Sequence, residues 1–222
     1  MLSSGVLIFP ITVLMILRKP NTSVRVVNKS YILIFFASFT WFVAECIFGY
    51  YNGFLKEDPY PSLADFFYLV GYMLLLAYLV IINKIYKIEF SIIISALITF
   101  FIMTFYVIYL SVFIYQIPLY SGNIYDLTLL FFYPLADLFI VMGSLMYYFK
   151  GRSISINKEN SFWILIALFG FFFFMGDLTY GYDDLLGTFN NYIFDLFFNI
   201  GYLFLGIGII IRMSYFYNLK KQ

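Results

Sequence analysis

The chain has 222 residues, 64% hydrophobic and 24% aromatic, with 11% charged, no histidine and a formal net charge of +1. That composition lies outside the range of soluble globular domains and places the chain in a lipid bilayer. A charge near zero gives no argument for a nucleic-acid partner, and no basic aromatic patch suggests one; the missing histidine removes that ligand for heme or a catalytic metal.

A membrane-spanning helix needs about 20 apolar residues, and seven candidate runs follow one another at roughly 2–17, 31–51, 63–82, 90–114, 127–149, 162–182 and 192–211. The first is short, but Arg18 and Lys19 follow its apolar stretch and no small-residue cleavage site appears, so it reads as a retained helix and not a secretory signal. The second carries Trp41, Glu45 and Cys46, the single cysteine, which excludes an intrachain disulfide. Before the third run, Pro59-Tyr60-Pro61-Ser62 shapes the connection, Ser62 is placed to cap the helix, and Asp65 falls in its first turn. Capping and ligand binding both suit Asp65. The fourth run holds no acid. In the fifth, Pro134 frees a carbonyl one turn earlier beside Asp137, bending the helix or being tolerated as a membrane proline. The sixth holds Phe171-Phe172-Phe173-Phe174, read as lipid-facing or gap-filling, and then Asp177; the seventh holds Asp195, Asn199 and Tyr202.

Seven spans put Arg18, Lys19, Arg25, Lys29, Lys84, Lys87, Lys150, Arg152, Lys158, Arg212, Lys220 and Lys221 on one side and Lys56 alone on the other. The positive-inside rule then sets the amino terminus outside and the carboxyl terminus in the cytoplasm of a multi-pass cell-membrane protein. Asn21 and Asn28 match the glycosylation pattern but fall in a cytoplasmic loop, where they carry little weight.

Two stretches repeat. Asp65-Phe66-Phe67-Tyr68-Leu69-Val70-Gly71-Tyr72 returns as Asp195-Leu196-Phe197-Phe198-Asn199-Ile200-Gly201-Tyr202, and Glu45 with Gly49-Tyr50 returns as Asp177 with Gly181-Tyr182. More weakly, Phe9-Pro10-Ile11-Thr12-Val13 matches Tyr133-Pro134-Leu135-Ala136-Asp137. Three spans per copy and one extra between them restore a common direction. The expectation is an all-α membrane protein of two parallel three-helix repeats, residues 1–87 and 125–222, joined by a central fourth helix in 88–124. The halves meet within one chain or across a homodimer.

Glu45, Asp65, Asp137, Asp177 and Asp195 then converge on the outer half of the bundle, where an aspartate at a helix centre costs about 2.5–3.5 kcal/mol. With no Lys, Arg or His inside any predicted run, the acids must bond neutral groups, share protons or hold a cation. Helical spacing offers Trp41 on the Glu45 face, Tyr72 on the Asp65 face, and Asn199 and Tyr202 on the Asp195 face. Interhelical glue is the structural alternative to a ligand site.

The phrase from Pro59 through Asp65-Phe66-Phe67-Tyr68-Leu69-Val70-Gly71-Tyr72 resembles a stretch in the multi-helix amino-terminal membrane modules of prokaryotic diguanylate cyclases and related signalling proteins. Tyr133-Pro134-Leu135-Ala136-Asp137 and Met175-Gly176-Asp177-Leu178-Thr179-Tyr180 look like later stations of that module, and the similarity runs from Tyr31 to Arg212. The resemblance implies a prokaryotic sensory membrane module. The chain departs from the family after Arg212, where about ten residues leave no room for an output domain, so a sensor here is expected to need a separate cytoplasmic signalling partner.

Two functions follow. One is a sensory or ligand-recognition module that binds a small ligand or cation in the acidic pocket; the other is a small-solute or ion transporter, similar in layout to the SWEET sugar carriers, that couples its carboxylates to protons or a cation. No enzyme, cofactor or metal ligand is expected. Ceramidase-type membrane hydrolases use metal-binding histidines, which leaves only a carboxylate-based hydrolase as a third class, and helix seven lacks the lysine of a retinal protein.

Overall fold

The computed structural model describes residues 5–17, 25–57, 60–86, 91–114, 124–151, 157–186 and 193–219. All regular structure among them is helical: α1 (Gly5–Leu17), α2 (Arg25–Tyr50) running into a π-helical turn (Tyr51–Leu55), α3 (Leu63–Tyr86), α4 (Ile92–Ile114), α5 (Ile124–Gly151), α6 (Asn157–Leu186) and α7 (Ile193–Leu219). The segments Ile32–Leu55, Leu63–Ile82, Ile92–Ile114, Ile124–Phe149, Ser161–Leu185 and Ile193–Ser214 are long and apolar enough to cross a membrane. Such a set identifies a multi-pass helical membrane protein. The 13 residues described for α1 reach only about 20 Å at 1.5 Å per residue, and the expected start of that run lies outside the described residues. Several helices outrun their apolar segments because backbone hydrogen bonding continues into polar flanks that hydropathy does not register.

α2 packs along α3, α5 along α6, and α6 along α7; α1 lies against both α2 and α7, and α3 meets α5. Those neighbours close a ring in the order α1, α2, α3, α5, α6, α7, with α4 attached outside on α5. The buried residues of α4 are Ile98, Ile102, Tyr109 and Phe113, a narrow seam of four- and seven-residue steps, and most of its remaining surface is apolar and exposed. Pro134 lies inside α5 and cannot donate to the carbonyl of Leu130, four residues back. The buried Tyr109 hydroxyl of α4 donates to that carbonyl instead, so the proline is satisfied from the neighbouring helix.

Aromatic rings fill the ring of helices. Trp41 is 1% exposed, and its ring centre lies 5.3 Å from that of Tyr72 in an edge-to-face arrangement and 5.4 Å from that of Phe169, while the ring centre of Phe173 lies 4.8 Å from that of Tyr202. Two glycines admit these rings. A Cβ at Gly71 would sit 2.5 Å from Trp41 Nε1, and one at Gly201 would sit 2.5 Å from Phe173 Cδ2. Small residues of this kind let membrane helices approach closely.

One expectation is corrected. Arg212 lies one residue beyond the predicted seventh run, yet it is 1% exposed within the apolar segment of α7. Its guanidinium lies 5.1 Å from the Phe162 ring centre and 5.7 Å from that of Trp163, a cation–π setting that lowers the cost of burial. Trp163 precedes Asp177 by fourteen residues, about 21 Å along α6, so this cation is remote from the acids.

Candidate functional site

The ends that build the site are the second half of α2 and α6 and the first half of α3 and α7, with the middle of α5 between them. Antiparallel neighbours bring those portions to one level of the bundle. Glu45 on α2 is half-buried, and its Oε1 accepts hydrogen bonds from the hydroxyls of Tyr202 at 2.6 Å and Tyr68 at 3.0 Å. Trp41, one turn earlier, donates from Nε1 to the Tyr68 carbonyl at 3.1 Å and so fixes α3 against α2.

Asp137 is wholly buried at 0% exposure. Its Oδ1 accepts from the Tyr72 hydroxyl at 2.7 Å, and it interacts electrostatically with Asp177. Oδ2 of Asp137 and Oδ2 of Asp177 are closed off from the surface and receive no hydrogen bond from the described residues. Tyr72 and Tyr202 each interact electrostatically with both Asp137 and Asp177, so the Glu45 group and the aspartate pair form one cluster.

Asp65 occupies a third corner at 4% exposure. Its Oδ2 accepts from the Ser62 amide at 2.7 Å while Ser62 Oγ accepts from the Ala64 amide at 3.1 Å, which is the expected cap. Oδ1 accepts from the Tyr133 hydroxyl at 2.7 Å and thereby also binds α5.

Of the residues expected at the site, Trp41, Glu45, Asp65, Tyr72, Asp137, Asp177 and Tyr202 come together. Asp195 does not join them: it lies half-buried in the first turn of α7, and no hydrogen bond ties it to the cluster among the described residues. The sequence correspondence sets Phe9 against Tyr133, and a phenyl ring has no hydroxyl to offer. Asn199 follows one turn beyond, half-buried. Tyr68 and Tyr133 are the additions. Each stands four residues before an expected site residue, Tyr72 and Asp137, on the same helical face, so their spacing was the signal.

Each phenol supplies one hydrogen, whereas each ionised carboxyl presents two acceptor oxygens. Acceptors therefore exceed donors, and the cluster suits a species that brings hydrogens or positive charge. No three His, Cys, Asp or Glu side chains converge as metal ligands among the described residues.

No family model, curated protein or solved structure matches this chain. Its own residues must carry any functional conclusion.

Proposed function

We propose that this chain is a membrane-embedded recognition module of sensory type, whose acid and tyrosine cluster takes a small ligand or cation that supplies positive charge or hydrogen-bond donors. The observation that carries this reading is Asp137, fully buried and interacting electrostatically with Asp177, with a buried oxygen on each to which no described residue donates. Gluing helices together would not require two mutually interacting carboxyls, since such a pair repels itself when ionised. No catalytic role is proposed for any of these groups.

The finer architecture in this proposal is seven spans in a 3+1+3 arrangement, with the amino terminus outside and the cluster in the outer half. Exchanging α1 with α5, α2 with α6 and α3 with α7 leaves the ring of helix neighbours unchanged, which supports two parallel repeats. The pairs Trp41 over Gly71 and Phe173 over Gly201 support it further, because the repeat aligns both members of each pair. The resemblance to signalling modules motivates a prokaryotic setting and a separate cytoplasmic partner.

A transporter is the second reading, favoured by one observation: Tyr72 of α3 bonds α5 and Tyr202 of α7 bonds α2, so the cluster bridges the two halves that would rock. Purified protein in proteoliposomes, tested with sugars, amino acids and cations for both uptake and thermal stabilisation, decides between them. The recognition reading expects stabilisation by one compound class, lost in Asp137→Asn, without uptake. Uptake that depends on Asp137 would replace it with the transporter.

A further inference from the structure

We infer that Tyr109 is a positioning residue of the acid cluster, through which α4 is coupled to the site. Its hydroxyl stands in for the amide hydrogen that Pro134 lacks and so holds the turn of α5 that presents Tyr133 and Asp137. The role rests on the recognition reading for its purpose and on hydrogen bonds for its content. Pro134 lies inside α5 between these two residues. Tyr133, immediately before it, donates to Asp65 Oδ1 at 2.7 Å, and Asp137, three residues after it, accepts from the Tyr72 hydroxyl at 2.7 Å. Both partners belong to α3. α5 thus meets α3 at two acids, one on each side of the proline that interrupts its own hydrogen-bond ladder.

Tyr109 supplies the donor to the Leu130 carbonyl from α4. It is wholly buried, and the ring centres of Phe113 and Phe131 lie 4.3 Å and 6.1 Å from its own, which restricts where its hydroxyl can point. Tyr147 makes a bond of the same kind with a different consequence. Its buried hydroxyl donates to the Leu79 carbonyl at 2.6 Å, but the residue four beyond Leu79 is Asn83, inside α3, and its amide already serves that carbonyl. Tyr147 adds a second bond to an intact ladder, whereas Tyr109 fills a gap in a broken one. Because α4 packs on α5 outside the ring of helices, the Tyr109 bond ties that outer helix directly to the turn that carries the acid.

Fluorine NMR of the whole chain in lipid nanodiscs, with a fluorine on the Tyr72 ring to report its bond to Asp137, tests the inference with no ligand added. Tyr109→Phe is expected to move the Tyr72 resonance. In a Pro134→Ala background, where residue 134 regains its amide, the same substitution should leave the resonance where Pro134→Ala alone puts it, and Tyr147→Phe in the wild-type background should not move it. A resonance unmoved by Tyr109→Phe, an equal displacement in both backgrounds, or an equal displacement by Tyr147→Phe would overturn the positioning role. If Tyr109→Phe alone does not fold, recovery of the fold on adding Pro134→Ala supports the role, and failure of that pair as well overturns it. Asp137-dependent stabilisation by a compound, beside an unmoved resonance, would end this inference and leave the recognition reading standing; the expected displacements without any such compound would do the reverse.

Discussion

Pro134 removes one amide hydrogen from α5, and Tyr109 of α4 restores a donor to the Leu130 carbonyl it leaves behind. Tyr109→Phe is therefore expected to destabilise the bundle by about 1 kcal/mol, within the range measured for interhelical hydrogen bonds in membranes. Reversible unfolding in mixed micelles reads that loss, and a neutral result would mean that the Leu130 carbonyl finds another partner. Asp65 makes a similar point in two parts. Its cap to Ser62 was legible, since a serine three residues before an acid at a helix start is a local pattern. The bond from Tyr133 was not, because it joins residues 68 positions apart. Asp65→Ala should cost roughly 1–2 kcal/mol, and Asp65→Asn clearly less, because an amide oxygen can still accept from Ser62 or Tyr133; equal losses in the two variants would refute the hydrogen-bonding explanation. The same limit applies to Glu45 and Asp137. Their presence in apolar runs announced a site, while the identity of their donors, Tyr68, Tyr202 and Tyr72, depended on which helices meet.

Helix identity came from apolar run length, and pairing came from shape. Nothing in the runs at α3 and α7 states that Gly71 faces Trp41 or that Gly201 faces Phe173, because glycine has no side chain to reveal a preferred neighbour. The contacts make Gly71→Ala and Gly201→Ala comparably harmful: each new Cβ would meet a buried ring 2.5 Å away, and overpacking of that kind costs about 1–3 kcal/mol. Gly49→Ala serves as the control, since no atom outside its own helix lies within 4 Å of its added Cβ. Thermal denaturation of the three variants in one detergent measures the difference, and a Gly49 variant as unstable as the others would defeat the argument. α4 was read only as a connector, and apolarity all round hides its packing seam. Arg212 was misplaced for a related reason. A run of apolar residues ends at the first charge by definition, whereas the folded helix surrounds that charge with Phe162 and Trp163 and keeps it inside.

Over the whole molecule, the basic residues and the acid cluster argue together for direction. Lys84, Lys87, Lys150 and Arg152 fall on one side of the alternating runs and Lys56 on the other, and the cluster is expected nearer the Lys56 side. In a Cys46→Ser background, Lys56→Cys should react with an impermeant thiol reagent in intact cells and Lys150→Cys only after permeabilisation. The opposite pattern would invert the orientation and move the cluster to the cytoplasmic half.

Composition alone determined the solvent of this protein, because 64% apolar residues and 11% charged ones cannot form a water-soluble surface. Run lengths located α2 through α7, since bilayer thickness sets the length of an apolar helix. The sequence also marked most of the acids that matter, because burial of a carboxyl in hydrocarbon is costly wherever its helix packs. Tertiary structure decided their partners. Closing the ring through α3 with α5 and α1 with α7 put Tyr72 on Asp137 and Tyr202 on Glu45. Those are contacts between residues 65 to 157 positions apart, and no local spacing encodes them: helix periodicity fixes which side chains share a face, but only packing fixes what that face meets.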